Sequence, residues 1–520
     1  MMAKKQKKIP VLGSIIKGAI DLRGKITSID LGRVKNPRKT QEKVLRQLLT
    51  KASSTHFGDA YKFNDLLKEK DLISVYKKAV PTFDYDSLHN AWWHRTLTGE
   101  PYVCWPGKIK YFALSSGTSG AASKYIPVTQ DMVKQIQKTS FRQIFTLSKY
   151  DFPREMFEKG MLMLGGSTQL QYNGTYYEGD LSGITCGNIP FWFQHYYKPG
   201  KRISKERDWQ AKLDEIVKNA PNWDIMAIVG VPAWMVILME KIIETYKLKT
   251  IHDIWPNLRI FCHGGVSIEP YRKSFDKLFG QKVTFMETYL ASEGFLAYQS
   301  RPNAPGMELM LNNGIFFEFV PFNNDNFDEN FNLKPNPQTF TIDEIEEGKE
   351  YALLITTCAG AYRYLIGDTV RLVSKEYNEI VITGRTKFFL SICGEHLSVD
   401  NMTVAVKKLS DTENVNIPEF CVIGESHGNM FAHRWFLACD EPLDVETATK
   451  KIDQYLGEVN DDYRVERLEA IRNVSVEILP TAVFYDYMRD MGKEGAQNKF
   501  PRVLRGEKME HWLNYLKTKR

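Results

Sequence analysis

A chain of 520 residues is longer than one hydrophobic core usually organises, so two or more domains are expected. Its 43% hydrophobic and 25% charged residues are those of an ordinary soluble globular protein. The net charge of +6 (69 basic against 63 acidic residues) gathers visibly only at the ends, in Lys4, Lys5, Lys7 and Lys8 and in Lys517, Lys519 and Arg520, which reads as solvated tails rather than a nucleic-acid stripe.

The segment Ile9 to Leu22 is expected to be an amphipathic helix docked on its own domain; Lys17 interrupts it and no clear cleavage site follows, so it is not a signal peptide. Gln41 to Ala52 has helical periodicity, with Val44, Leu45, Leu48, Leu49 and Ala52 on one stripe. His89 and His94 are five apart, a poor fit to one helical face, so no metal role is assigned to them. Tyr111 to Leu114 reads as a strand and Thr129 to Lys149 as a helix. Apolar runs at Met161–Leu164, Ile225–Val229, Arg259–His263 and Val283–Met286 then alternate with helical segments, the pattern of an α/β fold with parallel strands. The most apolar run, Ile225 to Met239, contains Gly230 and Pro232 and is too short to span a membrane.

Gly314–Pro321 and Tyr351–Thr357 are expected to be antiparallel strands joined by a polar loop, Asn323 to Pro337, which lacks the spacing of a calcium site. Strands continue at Val370–Val373 and Ile380–Thr383. Beyond Gly384-Arg-Thr-Lys387 the pattern changes to a small α+β segment, so the chain divides into residues 1–384 and 385–520. Seven cysteines are scattered without a close pair, which is neither a disulfide framework nor a zinc pattern and fits a reducing cytoplasm.

The chemistry is organised around Ser115-Ser-Gly-Thr-Ser-Gly120 and Lys124. Glycines let several amide N–H groups point into one concavity, hydroxyls add donors, and a lysine supplies the positive charge that a polyphosphate needs. It is not the Walker A pattern. Four further stretches place polar residues in strand-like surroundings: His263-Gly-Gly-Val-Ser267, Tyr289-Leu-Ala-Ser-Glu293, Tyr364-Leu-Ile-Gly-Asp368 and Asn498-Lys-Phe-Pro-Arg502. Taken singly, each also reads as an ordinary turn or surface residue. Together they offer a phosphate cradle, a ring-stacking face, two carboxylates and a lysine beside a rigid proline.

Their order and wording resemble the auxin-responsive Gretchen Hagen 3 family of acyl acid–amido synthetases, within the acyl-adenylate-forming (firefly luciferase-like) superfamily. The family motifs are matched at Ser115–Gly120, at Tyr289–Glu293, at the hinge Gly384–Lys387, and at Gln497, Lys499, Pro501 and Arg502. One position departs: Leu365 stands where the family's third motif has arginine, and Arg363 is the nearby candidate to replace it.

The resemblance implies a large adenylate-forming domain, with α/β sheets and a β-barrel-like part, and a small mobile C-terminal domain. It also implies an ATP- and Mg²⁺-dependent enzyme that adenylates a carboxylic acid and passes the acyl group to an amine, for which an amino acid is expected. Under it, Ser115, Ser116, Gly117, Thr118, Ser119, Gly120 and Lys124 face the phosphates, and Tyr289 flanks the adenine with Gly264 and Gly265 along its edge. Ser292 meets the α-phosphate, Glu293 holds Mg²⁺, Asp368 binds the ribose with Arg385, and Lys499 swings in by rotation about Lys387. Phe191, Trp192, Phe193 and Trp234 are candidates to wall the acyl pocket. An acyl-CoA ligase shares the first half-reaction, but its Pro-Lys-Gly and Ser-Gly-Lys signatures are replaced here by Gly-Ala-Ala-Ser-Lys124 and Gln-Asn-Lys-Phe-Pro-Arg502. A silent nucleotide-binding homologue is the remaining alternative. No nucleic-acid partner and no stable membrane insertion are expected, and the oligomeric state is not legible.

Overall fold

In the computed structural model the described residues are 18, 34, 36–115, 124–189, 193–328, 331–386, 390, 397–427, 430–460, 463–464, 466–467, 471–495 and 498–519. Among the calls on the sequence, the segment 9–22 (Gly18 apart), the loop 116–123, Phe191, Trp192, Lys387 and Gln497 lie outside them.

The helix Pro37–Ala52 starts where its sequence says it should: the Asn36 side chain accepts from the Lys39 N–H, and Pro37 occupies the first turn. It buries the expected stripe of Val44, Leu45, Leu48, Leu49 and Ala52. Its Gln41 locks it to the strands below, donating to the Leu311 carbonyl at 2.7 Å and accepting from the Phe317 N–H at 2.7 Å.

Strands β1 (Tyr111–Ser115) and β2 (Lys124–Val128) pair antiparallel, with Ser115 opposite Lys124. The serine-rich stretch is therefore strung between two fixed residues. Next in the chain come β3 (Gly160–Met163), β4 (Gln171–Tyr172), β5 (Tyr177–Gly179), β6 (Tyr197–Lys198), β7 (Ile225–Gly230), β8 (Ile260–Gly264) and β9 (Thr284–Ala291). β1, β2, β4 and β5 form a small sheet. β6, β3, β7, β8 and β9 are parallel neighbours, as their separation by helices requires. In such sheets ligands sit beyond the carboxyl ends of the strands, here Gly230, Gly264 and Ala291.

The same sheet continues antiparallel through β10 (Gly294–Tyr298), β11 (Met307–Leu309), β12 (Ile315–Pro321), β13 (Glu350–Thr357), β14 (Tyr364–Ser374) and β15 (Glu379–Arg385). Its order is β12-β13-β14-β15-β11-β10-β9-β8-β7-β3-β6, so the antiparallel strands, where the barrel-like part is expected, extend one eleven-stranded sheet. β12 and β13 pair directly across the polar loop. A third sheet holds β16 (Phe420–His427), β17 (Met430–Ala438), β18 (Ile471–Leu479) and β19 (Val503–Leu504), in the order β18-β17-β16-β19, backed by the helices Val399–Glu413 and Val445–Val459.

One apolar core crosses from the parallel half into this third sheet. It joins Trp234, Tyr271 and Phe275 to Phe436, Phe484, Phe500 and Trp512. The loop bearing Lys499 is anchored in that core through buried Phe500. Among the described residues no helix is long and apolar enough to cross a membrane.

Candidate active site

β9 and β10 are joined by the two-residue turn Ser292-Glu293, because Ala291 pairs with Gly294. Tyr289 thus sits at the end of a strand and Glu293 at the tip of a hairpin. The buried Tyr289 hydroxyl donates to Asp368 Oδ2 at 2.5 Å. Asp368 Oδ1 pairs with Arg385 Nε at 3.0 Å, since β14 and β15 place the two residues opposite each other. Sequence reading sets Asp368 just after a strand; it lies inside β14, next to a register shift. Gly367 makes the bend there. Its φ of +90° is left-handed, and a Cβ would stand 3.4 Å from the Arg385 guanidinium.

The missing motif arginine is not replaced by Arg363. Arg363 precedes β14 with φ +43°, and its guanidinium is buried against Glu318 at 3.0 Å and the carbonyls of Lys77 and Val80 at 2.6 and 2.7 Å. Those partners hold it beside helix Leu72–Ala79 and leave it no role at Asp368. Leu365 faces away as well, into an apolar group with Val320, Ala352 and Leu354. What cation stands beside Asp368 is Arg385.

Glu293 is 8% exposed. Burial, with the Asp368 charge nearby, pushes its carboxyl up to about 7, while Arg385 and Lys124 act in the opposite sense. Burial, and after it the charge of the nearby Glu293, push the pKa of the Tyr364 hydroxyl up. Lys124 lies with its ammonium 5.1 Å from the Tyr85 ring centre, and the Tyr85 hydroxyl accepts from the Tyr125 N–H at 2.9 Å. Tyr85, beside Lys124, has no signal in the sequence, since aromatics of this kind usually belong to a core.

Lys499 reaches the far side of the same cleft. Its Cε and Nζ lie 3.1 and 3.4 Å from where a Cβ on Gly265 would stand. Gly265 has φ +88°, so conformation and this close approach both require glycine there, while at Gly264 a Cβ would meet the Thr288 carbonyl. Desolvation, with Arg385 repelling it, pulls the Lys499 ammonium down to about 8, while Asp368 supports its charge. The residue keeps exposed surface, so solvent moderates the shift and its direction is what the chemistry uses.

The Lys499 loop is held from the other half of the chain. Trp234 Nε1 donates to the Asn498 carbonyl at 2.9 Å, and the Tyr271 hydroxyl donates to Glu419 Oε1 at 2.5 Å, whose other oxygen accepts from Arg502 Nη1 at 2.5 Å. This corrects Trp234 as an acyl-pocket residue: it lies 2% exposed beside the Lys499 loop. Of the two described candidates, Phe193 lines the apolar cavity, together with Met161, Met163, Thr288 and Leu290.

A parallel sheet whose strand ends face a lysine carried by a smaller α/β unit defines the adenylate-forming fold. The structure superposes on 2-hydroxyisobutyryl-CoA ligase in its postadenylation state with a TM-score of 0.56 at 13% identity, covering 99% of this chain and 94% of that one. It superposes more fully on the GH3.15 acyl acid amido synthetase, with a TM-score of 0.76 at 15% identity over 100% of this chain and 97% of that one.

The chain belongs to the GH3 family. The GH3 family N-terminal domain matches residues 32–204 and 168–284, the central domain 308–385 and the C-terminal domain 400–508. The jasmonoyl–L-amino acid synthetase JAR4 of Nicotiana attenuata is 24% identical over 90% of this chain and 92% of its own length. The indole-3-acetic acid-amido synthetase GH3.2 of Arabidopsis thaliana is 30% identical over 24% of this chain and 23% of its own.

Proposed function

We propose that this protein is an ATP-dependent acyl acid–amido synthetase. The observation that carries the reading is Lys499 against Gly265, across a cleft from the Tyr289–Asp368–Arg385 network and Glu293. In the first step a carboxylate oxygen attacks the α-phosphorus of ATP; an O–P bond forms and pyrophosphate leaves. In the second, an amine nitrogen attacks the acyl carbon; the amide bond forms, AMP leaves, and the surplus amine proton passes to solvent.

Bringing two anions together needs positive charge and donors on both sides. Lys499 stabilises charge at the α-phosphate, and Lys124 with Ser115 fixes the base of the phosphate loop formed by Ser116, Gly117, Thr118, Ser119 and Gly120. Tyr289 and the bare backbone of Gly264 and Gly265 take the adenine. Asp368 takes the ribose hydroxyls while Arg385, paired to it at 3.0 Å, orients it. Ser292 meets the α-phosphate from the hairpin turn.

Among the described residues no group of three or more metal-ligating side chains exists, which suits Mg²⁺, an ion usually held by one or two carboxylates, substrate phosphates and water. Glu293 is the carboxylate that would hold it, a buried group whose pKa is raised by desolvation and the Asp368 charge. Bound there, Mg²⁺ neutralises charge on the polyphosphate. The chain beyond Lys387 acts as the mobile unit, turning about that residue to deliver and withdraw Lys499, while Arg385 stays in β15 beside Asp368.

The test is product analysis with Mg²⁺, ATP, a panel of acids, and either amino acids or coenzyme A. An amide with AMP supports the reading. A thioester with no amide makes the protein an acyl-CoA ligase, and nucleotide binding with no AMP from any acid makes it a silent homologue.

A further inference from the structure

The apolar cavity lies between the helix Gln130–Phe145 and the parallel strands β3, β7, β8 and β9, and has a volume of about 180 Å³. It ends at Thr288 and Leu290, the chain neighbours of Tyr289, so it abuts the adenylating centre. Its wall carries no charged side chain among the described residues. The thiols of Cys186 and Cys262 in the wall are pushed up by burial, to about 11 and about 12, and stay neutral.

The polar side chains of the wall separate into two kinds. Four are consumed by the protein's own backbone. Gln137 donates to the Asn188 carbonyl at 2.7 Å and Ser140 to the Ile136 carbonyl at 2.9 Å. Thr185 donates to the Leu181 carbonyl at 2.9 Å and Thr288 to the His263 carbonyl at 2.9 Å. Gln143 is different: its amide nitrogen is buried in the wall with no acceptor. A buried donor left without an acceptor is unfavourable, so it marks a place where a partner is expected. Thr139 Oγ1 and Gln135 Oε1, one and two turns back on the same helix stripe, are also buried without partners, and of the three only Gln143 reaches the cavity.

Resting on the function proposed above, we infer that Gln143 is the specificity residue of the acyl site. The substrate class is a monocarboxylic acid with an uncharged hydrocarbon body bearing one oxygen function, keto, ether or hydroxyl, that accepts from the Gln143 amide. A second carboxylate or an ammonium is excluded, because nothing in the wall compensates a buried charge.

The test uses matched monocarboxylic acids, a saturated parent and its counterparts with one oxo group walked along the chain. They are compared in ATP–pyrophosphate exchange and by calorimetric binding. Wild type should favour one oxo position over the parent by about tenfold or more in kcat/KM. Gln143→Met, close in volume, and Gln143→Leu should abolish that preference and improve the parent acid. Exchange that favours the parent over every oxo acid overturns the inference while leaving the enzyme reading intact. So does a preference that both variants keep, since the amide then serves only the helix. Absence of exchange and of acid binding with every acid overturns both.

Discussion

Replacing Asp368 by Asn keeps the shape of the side chain and removes the charge that organises the nucleotide side of the cleft. The carboxylate has two protein partners, the Tyr289 hydroxyl at 2.5 Å and Arg385 Nε at 3.0 Å, and its side chain is only 16% exposed. Solvent therefore screens it little. A hydrogen bond to a charged group is worth roughly 1.5–3 kcal/mol, so losing the carboxylate's bond to a ribose hydroxyl should weaken ATP binding by roughly 10- to 150-fold. Two coupled shifts follow with fixed sign. The Asp368 charge raises the pKa of Glu293 and of Lys499, so both should fall in Asp368→Asn. Calorimetric titration with ATP and Mg²⁺ reads the affinity, and thermal unfolding separates it from lost stability. An ATP affinity within about twofold of wild type, in a protein that melts normally, would remove Asp368 from the ribose site.

The pH profile of kcat/KM for ATP in the adenylation step reports the free enzyme. Glu293, raised to about 7, is neutral below that value, and Lys499, lowered from its usual range, loses its charge on the alkaline side, so activity should rise through pH 7 and fall as Lys499 deprotonates. Lys499→Arg keeps the charge and should flatten the alkaline limb; an unchanged fall assigns it to another group. Trp234→Phe removes the bond to the Asn498 carbonyl, worth about 0.5–1.5 kcal/mol, and should slow pyrophosphate exchange roughly two- to tenfold. It should spare aminolysis of added acyl-adenylate, and equal losses in both half-reactions would make it a packing effect instead. Arg502→Met leaves Glu419, 2% exposed, with the Tyr271 hydroxyl but without its cation, at a cost of about 3–5 kcal/mol in denaturant unfolding. A loss below about 1 kcal/mol would show that the pair contributes little to stability.

How much of this was legible in the sequence follows from the range of each interaction. Periodicity is local, so the helix Pro37–Ala52 and the strands β3, β7, β8 and β9 could be read directly, and their alternation with helices dictated parallel pairing. Asp368 lies inside β14 because Gly367, at φ +90°, bends the strand without ending it. Arg363 was a plausible stand-in for the absent arginine only until Glu318, far away in sequence, claimed it. Trp234 was misread for the same reason: its partner, the carbonyl of Asn498, lies 264 residues on. No residue pattern announces such a contact. Gln143 carried no signal either, since its distinction is the absence of a partner, visible only once its neighbours are bonded.

The most direct test of the account is carboxylic-acid-dependent ATP–pyrophosphate exchange, run on wild type and Lys499→Ala with Mg²⁺. The account predicts acid-dependent exchange in the wild type and its loss in the variant, with ATP binding largely retained because Tyr289, Asp368 and Arg385 hold the nucleoside without Lys499. Exchange at the wild-type rate in Lys499→Ala would contradict it, since the lysine brought against Gly265 would then have no part in adenylation.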